Sequence, residues 1–268
     1  MTLLRQPILK KLLVVLERIQ KSNWYIVMPS FLVKKLVLGH WTNSIMTNSF
    51  GKTAFLLSLI KNITVDSYIP GLFFSLELPI QMIHIQMVFS MTKISFLKYR
   101  NDELNENEAK RWTKARKQIQ DSPLIINDKS TLNINEICDE ARKQYMKNAF
   151  KIMYIDYLGL IASNNDKLPV YEQITCNLKT LKTLALEINV PIIITYQLAR
   201  ELTKNPPEFS HTLGSGDVKS IADVILLLHR NLENRCSTQL YVDKNHNGRL
   251  GTVDFDFYQD FVSFDETV

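Results

Sequence analysis

The tripeptide Gly51-Lys52-Thr53 constrains the fold of this chain more than any other feature of its sequence. An apolar stretch and a polar turn precede it, and the apolar run 54–60 follows it. This is the layout of a phosphate-binding loop, in which backbone N–H groups at the start of a helix cradle phosphates. In such a loop the Lys52 ammonium would reach the β- and γ-phosphates, and the Thr53 hydroxyl would hold Mg²⁺. The tripeptide therefore predicts a nucleotide-binding protein.

The segment before this tripeptide departs from the usual phosphate-loop pattern. Met46 stands five residues before Gly51, where the pattern requires glycine. A glycine lets the backbone approach a phosphate closely, so we expect Met46 to weaken nucleotide affinity. Because a bare Gly-Lys-Thr is common by chance, other segments must decide whether the loop binds a nucleotide. The candidate nucleotide-binding residues are Met46, Thr47, Asn48, Ser49, Phe50, Gly51, Lys52 and Thr53.

The composition is that of a globular protein with one large domain. Hydrophobic residues make up 46% and charged residues 22% of the 268 positions. No apolar run reaches the roughly 18–20 residues that span a bilayer, so no membrane partner is expected. The net charge of +5 permits a polyanionic partner without demonstrating one.

The cysteines and the amino-acid composition indicate the cellular compartment in which the protein works. Cys138, Cys176 and Cys236 are far apart and odd in number, which predicts buried thiols in a reducing compartment of cytoplasmic type. Only 8 glycines occur among abundant Lys, Asn and Ile, as in coding sequences rich in A and T. Such sequences occur in organellar genomes, so the plastid (chloroplast) stroma is the alternative compartment.

Apolar runs and helical periodicities alternate along the chain. The runs that predict strands are 69–76, 124–126, 152–156, 191–196, 224–228 and 239–242. The segments that predict helices are 80–92, 102–120, 133–147 and one with apolar residues from Ile174 to Ile188. This alternation predicts an α/β domain with a mainly parallel sheet flanked by helices. The pair Asn247-Gly248 predicts an antiparallel C-terminal hairpin.

The chain is predicted to divide after residue 22. Residues 1–22 form a helical pattern with apolar side chains at every third or fourth position, and residues 23–268 form the α/β domain. The N-terminal helix either packs on its own domain or docks on a neighbouring subunit. The sequence favours neither alternative.

Polar residues follow the predicted strands at positions where a ligand would bind. Glu77, Asp156 and Gln197 each end or follow a buried strand, and ligands of parallel sheets bind beyond the C-terminal strand ends. There Glu77 could polarise an attacking water and Asp156 could orient Mg²⁺. Gln197 could sense the γ-phosphate. Taken singly, each could also be a surface acid, a cap or a strand end.

Six segments together resemble, in order and spacing, the nucleotide-site motifs of DnaB-type replicative helicases over about residues 30–264. The resemblance implies a RecA-like P-loop NTPase fold, with ATP and Mg²⁺ bound between the subunits of a ring hexamer. It also implies central loops that grip single-stranded DNA, and replication proteins such as primase as partners. The segments are Gly51-Lys52-Thr53-Ala54-Phe55, Phe74-Ser75-Leu76-Glu77-Leu78-Pro79, Ile155-Asp156-Tyr157-Leu158, 189–198, Ala222-Asp223-Val224 and 244–253.

The resemblance also assigns roles to individual residues. Lys52 and Thr53 would bind phosphate and metal, with Glu77 as the catalytic carboxylate. Asp156 would be the second, metal-side acid and Gln197 the sensor. The positions that would reach a neighbour's site are Lys244 and His246, the stretches that would face DNA are 159–169 and 200–217, and the linker helix would be 2–22.

Several departures from the family pattern keep alternatives open. Met46 replaces a small residue, Thr47-Asn48 replaces Arg-Pro, and His246 stands where the family has an arginine finger. Thr212-Leu213-Gly214 lacks the charged residues of the second loop, and no counterpart of the N-terminal domain is expected. The predicted function is ATP-dependent unwinding of duplex DNA during replication. The alternatives are a catalytically weakened subunit for single-strand binding or assembly, and another RecA-like ATPase, against which the Glu77 motif and the Lys244 hairpin argue.

Overall fold

The structure is a computed structural model that describes residues 31–37, 50–162, 168–197, 220–230, 237–246, 248 and 250–266. The predicted helix in 1–22, the loop residues from Met46 to Ser49 and the predicted stretch 200–217 lie outside these residues. The predicted stretch 159–169 is described only in part.

Helices and strands alternate along the described chain, as predicted. Numbered in chain order, they are β1 (Phe31–Val37), α1 (Phe50–Ile60), β2 (Gly71–Ser75), α2 (Ile80–Thr92), α3 (Phe96–Arg100), α4 (Glu106–Gln120), β3 (Leu124–Asn127), α5 (Ile134–Asn148), β4 (Ile152–Asp156), α6 (Val170–Ile188), β5 (Ile192–Gln197), β6 (Val224–Arg230), β7 (Ser237–Asn245), β8 (Gly251–Tyr258) and β9 (Ser263–Glu266). A π-helical segment, Lys61–Asp66, extends α1.

The described strands form one sheet in the order β3-β2-β4-β5-β1-β6-β7-β8-β9. Strands from β3 to β6 pair in parallel, and β6, β7, β8 and β9 pair antiparallel. The mainly parallel sheet and the antiparallel C-terminal hairpin are thus confirmed. The strand β1, which precedes the phosphate loop, lies in the middle of the sheet between β5 and β6.

Apolar side chains cover both faces of the parallel strands. Leu72 and Met153 belong to a buried cluster that they share with α5 and α6. Their chain neighbours Phe73 and Tyr154 belong to a second cluster, shared with α1, α2 and α4. Successive strand residues point to opposite faces, so a strand covered on both sides needs apolar residues at every position. This explains why the strand sequences are continuous apolar runs.

Asparagine capping boxes fix where two helices begin. The Asn133 side chain accepts a hydrogen bond from the Glu136 N–H at 3.1 Å, and the Glu136 carboxylate accepts one from the Asn133 N–H at 2.8 Å. This confirms the predicted start of α5. Asn105 and Glu108 form the same box, which starts α4 four residues later than the predicted 102.

Two short elements and one strand boundary differ from the predictions. The helix α3 has five residues and β9 has four, too few to show a periodicity. The strand β2 begins at Gly71 and not at residue 69. Pro70 has no N–H to donate to a neighbouring strand, which explains the later start.

The cysteines follow the prediction only in part. Cys138 is buried, and burial raises the pKa of its thiol to about 11. Cys176 is exposed, contrary to the prediction of buried thiols. It lies two residues from both Ile174 and Leu178, which are buried, and a residue two positions away does not share their helix face.

The C-terminal strands pack against the helix that carries the phosphate-loop tripeptide. The Phe55 ring on α1 meets the rings of Phe255 on β8 and Phe264 on β9 edge to face, with centroid distances of 6.1 and 5.5 Å. The antiparallel extension of the sheet therefore supports α1 from the outside. None of the described helices is long and apolar enough to cross a membrane.

Candidate nucleotide-binding site

The polar residues predicted at strand ends lie at one edge of the sheet. The register of β2 and β4 pairs Ser75 with Asp156, so Glu77 follows just beyond that pair. The backbone of Gln197 ends β5 opposite Leu36 of β1. Because these strands are parallel, their C-terminal ends meet at the edge where β1 leads towards α1. The prediction that these residues lie together at the C-terminal ends of the parallel strands is confirmed for their backbone positions.

Lys52 and Thr53 meet Asp156 in the interior of the protein. All three are buried, and the Thr53 hydroxyl donates a hydrogen bond of 2.6 Å to Asp156 Oδ2. The Thr195 hydroxyl donates to the other carboxylate oxygen, Oδ1. Both oxygens of the strand-end acid therefore accept hydrogen bonds from threonine side chains on neighbouring elements.

Burial shifts the pKa values of Asp156 and Lys52 towards their neutral forms, and neighbouring groups act against part of that shift. Burial raises the pKa of Asp156, and the hydrogen bonds from Thr195 and Thr53 act in the opposite direction. Burial lowers the pKa of Lys52, whereas the nearby carboxylates of Glu77 and Asp156 raise it. The lysine and the two acids are thus close enough to act as one electrostatic unit.

A turn fixed by Ser75 places Glu77 close to Lys52 and Asp156. The Ser75 hydroxyl donates to the Leu78 carbonyl at 2.6 Å, and the Leu76 N–H donates to the Asp156 carbonyl at 2.8 Å. The chain therefore stays bound to β4 up to the residue before Glu77. The Glu77 side chain is partly buried at the end of this turn.

The oxygen atoms of the site fit Mg²⁺. Mg²⁺ prefers oxygen ligands and is usually held by one or two protein groups together with substrate phosphates. Thr53 and Asp156 supply a hydroxyl and a carboxylate in direct contact. No group of three or more His, Cys, Asp or Glu side chains suited to a metal occurs in the described part of the chain. The donor set therefore matches a metal that relies on a bound phosphate for its remaining ligands.

Two predicted residues, Lys244 and His246, lie at the opposite edge, which is the one formed by the N-terminal ends of the parallel strands. In the β6–β7 pair, Lys244 faces Ile225 near the start of β6. The start of β6 is at the N-terminal edge of the parallel strands, and a seven-residue strand spans about 20 Å. The Lys244 ammonium donates to the Ala222 carbonyl at 2.5 Å there. The structure therefore does not bring these residues to Lys52 of the same chain.

His246 lies beside an acid at this edge and is half-exposed. Its Nδ1 is 3.4 Å from Asp223 Oδ1, and its side chain is 54% exposed. Asp223 also accepts a hydrogen bond of 2.8 Å from the Lys182 ammonium. This surface therefore lies away from the phosphate-loop residues of the same chain.

Part of the predicted site lies outside the described residues. Met46, Thr47, Asn48 and Ser49 belong to that part. Phe50 is the first residue of α1, and nothing of the Gln197 side chain is described.

Sequence reasoning missed Thr195, which holds Asp156 from the neighbouring strand. A threonine that directly follows the apolar run 192–194, near the end of the strand, is the signal that could have found it. Its contact with Asp156 depends on the register of β4 and β5, in which Ile155 faces Ile194.

Thr195→Val is expected to lower the free energy of unfolding by about 1–3 kcal/mol, because it leaves a buried carboxylate oxygen without its donor. Thr195→Ser keeps the hydroxyl and should lose much less. Thr238→Val is the matched control, since Thr238 is buried and its hydroxyl has no hydrogen-bond partner in the described residues. Denaturant unfolding of the three variants measures the effect. Equal losses at 195 and 238 would show that the Asp156 contact adds no stability.

Known sequences similar to this chain are replicative helicases. The family described as "DnaB-like helicase C terminal domain" matches residues 46–266. "Replicative DNA helicase DnaB" of Treponema pallidum (strain Nichols) is 32% identical over 216 residues, covering 81% of this chain and 49% of that protein. "Probable replicative DNA helicase" of Trieres chinensis is 30% identical over 233 residues, covering 81% and 50%. The chain thus spans about half the length of the curated relatives it matches.

Solved structures of low sequence identity share the fold. One of them, an ATPase domain, matches with a TM-score of 0.79 at 24% identity, covering 97% of this chain and 98% of that chain. "The Structure Of A DnaB-Like Replicative Helicase And Its Interactions With Primase" matches with a TM-score of 0.77 at 23% identity, covering 95% and 65%. These likenesses confirm the predicted RecA-like P-loop fold.

Proposed function

The chain belongs to the DnaB-like helicase C-terminal domain family, and on that premise we propose that it is the ATPase motor of a replicative DNA helicase. It would hydrolyse ATP, move along single-stranded DNA and unwind duplex DNA. The observation that carries this proposal is the buried contact of Thr53 with Asp156 beside Lys52, at the C-terminal edge of a parallel sheet.

Each residue of the site has a role that follows from its position. Lys52 binds the β- and γ-phosphates. The Thr53 hydroxyl donates a hydrogen bond to Asp156, which leaves the lone pairs of the hydroxyl oxygen for a metal. Glu77 accepts the proton of the attacking water, and Gln197 contacts the γ-phosphate. Mg²⁺, when bound, neutralises charge on the phosphate oxygens.

The two edges of the sheet support a ring of identical subunits. Lys244 and His246 lie at the edge opposite to Lys52, so they can complete only a neighbour's site. A contact between two different surfaces of the same chain is heterologous, and such contacts close into rings when the rotation permits. We propose a ring hexamer, in which 159–169 and 200–217 face single-stranded DNA and residues 1–22 form a linker helix.

The proposal extends to partners and compartment. One of the solved structures similar to this chain is that of a DnaB-like helicase and its interactions with primase. This supports primase as a partner. The free thiols support a reducing compartment. The composition rich in Lys, Asn and Ile supports the plastid stroma as the alternative to a cytoplasmic compartment.

A weakened subunit for single-strand binding or assembly is the second candidate function. Its support is Met46 in the phosphate loop and His246 at the finger position. Met46 is expected to weaken nucleotide affinity, and His246 is expected to slow turnover. The two candidates therefore differ in ATP hydrolysis and not in assembly.

Single-stranded DNA is expected to stimulate ATP hydrolysis by the purified chain, and DNA binding is expected to fall steeply with salt. Each phosphate neutralised on a single strand lowers the slope of log K against log salt by about 0.7. Binding should also require assembly, because the net charge of +5 is modest for one subunit. Oligonucleotide titrations across salt and protein concentration measure both effects.

The Lys52→Ala variant is the control for this experiment, since it should remove hydrolysis and leave the fold. DNA binding without any hydrolysis by the wild-type chain would favour the second candidate. Equally tight binding by dilute monomer and by oligomer would contradict the ring.

A further inference from the structure

Tyr157 directly follows the strand-end acid Asp156, and its ring faces the phosphate-loop lysine. The Lys52 Nζ lies 4.5 Å from the centroid of the Tyr157 ring. A cation within about 6 Å of a ring centroid is attracted by the electron density of the ring face. Lys52 is only 1% exposed, so water screens this attraction little. The contact is therefore at the strong end of its usual range.

The ring attracts the lysine differently from the neighbouring acids. Glu77 and Asp156 attract the Lys52 ammonium as full negative charges and raise its pKa against the effect of burial. A carboxylate bonded to the ammonium would compete with a phosphate for its N–H groups. A ring face carries no lone pair, so it attracts the charge and competes much less for those donors. The ring can therefore attract the ammonium without itself occupying one of its N–H donors.

The position of the Tyr157 ring is itself fixed by the next two residues. Leu158 is buried and anchors the chain after β4. A Cβ added at Gly159 would lie 2.9 Å from Cε2 of the Tyr157 ring, so glycine at that position leaves room for the ring as it lies here. Burial, followed by Glu77 and Asp156, raises the pKa of the Tyr157 phenol. The side chain therefore meets Lys52 as a neutral ring.

We propose that Tyr157 is a positioning residue for Lys52, and that its ring face fixes the ammonium where the phosphates of a nucleoside di- or triphosphate bind. This inference rests on the proposed nucleotide site. It assigns the effect to the ring face and not to the hydroxyl. The electron density of the ring should then set the affinity for ADP and ATP.

A series of fluorinated phenylalanines at position 157 tests this inference. Fluorine withdraws electron density from the ring face and changes the size of the ring little. The affinity for Mg-ADP, measured by fluorescence titration, should fall stepwise from Tyr157→Phe to the trifluorinated variant. The total loss should be about 3- to 30-fold, from the value of a partly exposed cation–ring contact up to that of a desolvated one. Tyr157→Leu should lose a comparable factor.

Thermal unfolding of the same series separates positioning from packing, because the ring keeps its shape. A stepwise loss of affinity in variants that all remain folded at the assay temperature supports the proposal. Equal ADP affinity across the fluorinated series would overturn it, whatever Tyr157→Leu does. Wild-type binding of Mg-ADP that Lys52→Ala abolishes would leave the nucleotide site standing in that case. No ADP binding by the wild-type protein would overturn the site and the role of Tyr157 together.

Discussion

Glu77→Gln is expected to lower the rate of ATP hydrolysis by about 10²–10⁴-fold, the range that general-base catalysis contributes. The substitution keeps the shape of the side chain and removes the carboxylate that would accept a proton from water. The charge of Glu77 contributes an upward shift to the pKa values of Lys52, Asp156 and Tyr157, and this places Glu77 close to each of them. For Lys52 the larger effect of burial acts in the opposite direction. Steady-state hydrolysis and nucleotide titration measure turnover and binding separately.

The Glu77 prediction has two comparisons. Lys52→Ala should lose nucleotide binding itself, because it removes the phosphate-binding charge, whereas Glu77→Gln should still bind ATP. Glu103→Gln is the matched control, since Glu103 lies on the exposed surface between α3 and α4. Wild-type turnover in Glu77→Gln would assign the general base to another residue.

His246→Arg is expected to raise turnover by at least about tenfold, towards the 10³–10⁵ that arginine fingers contribute. A histidine is shorter than an arginine and lacks the forked guanidinium that binds two phosphate oxygens. His246 is half-exposed at the edge opposite to Lys52, so a longer side chain there could extend to a neighbouring subunit. Asp223 keeps its hydrogen bond from Lys182, so its charge stays paired when the arginine side chain extends away from it.

Leu250→Arg is the matched control for this gain of activity. Leu250 is 63% exposed and follows the same turn, so the substitution adds the same charge near the same place. Its hydrolysis rate should stay at the wild-type level. If His246→Arg also leaves the rate unchanged while ATP binding and assembly persist, His246 is only a turn residue.

The sequence was sufficient to predict the elements that a local pattern defines. The Asn133–Glu136 pair predicted the start of α5, and the apolar run before Asp156 predicted β4 with its terminal acid. Both depend on residues that are neighbours in the chain. The same holds for the antiparallel pair of β7 and β8, which the Asn247-Gly248 dipeptide predicted.

Contacts between distant segments could not be predicted in this way. Thr195 meets Asp156 only because β5 pairs with β4 in a particular register, across a separation of 39 residues. The ring of Tyr157 faces Lys52 only because α1 begins at the same edge of the sheet. Strand order is not visible in the pattern of any single strand. For the same reason the sequence did not reveal that Lys244 lies at the far edge.

The packing of α1 against β8 and β9 has a consequence for the synthesis of the protein on the ribosome. Phe55 is translated about 200 residues before its partner Phe264, which takes roughly 10–40 s at 5–20 residues per second. During that interval β1 also waits for β5 and β6, its neighbours on both sides. The nascent phosphate loop therefore cannot acquire its final surroundings until β9 has been translated.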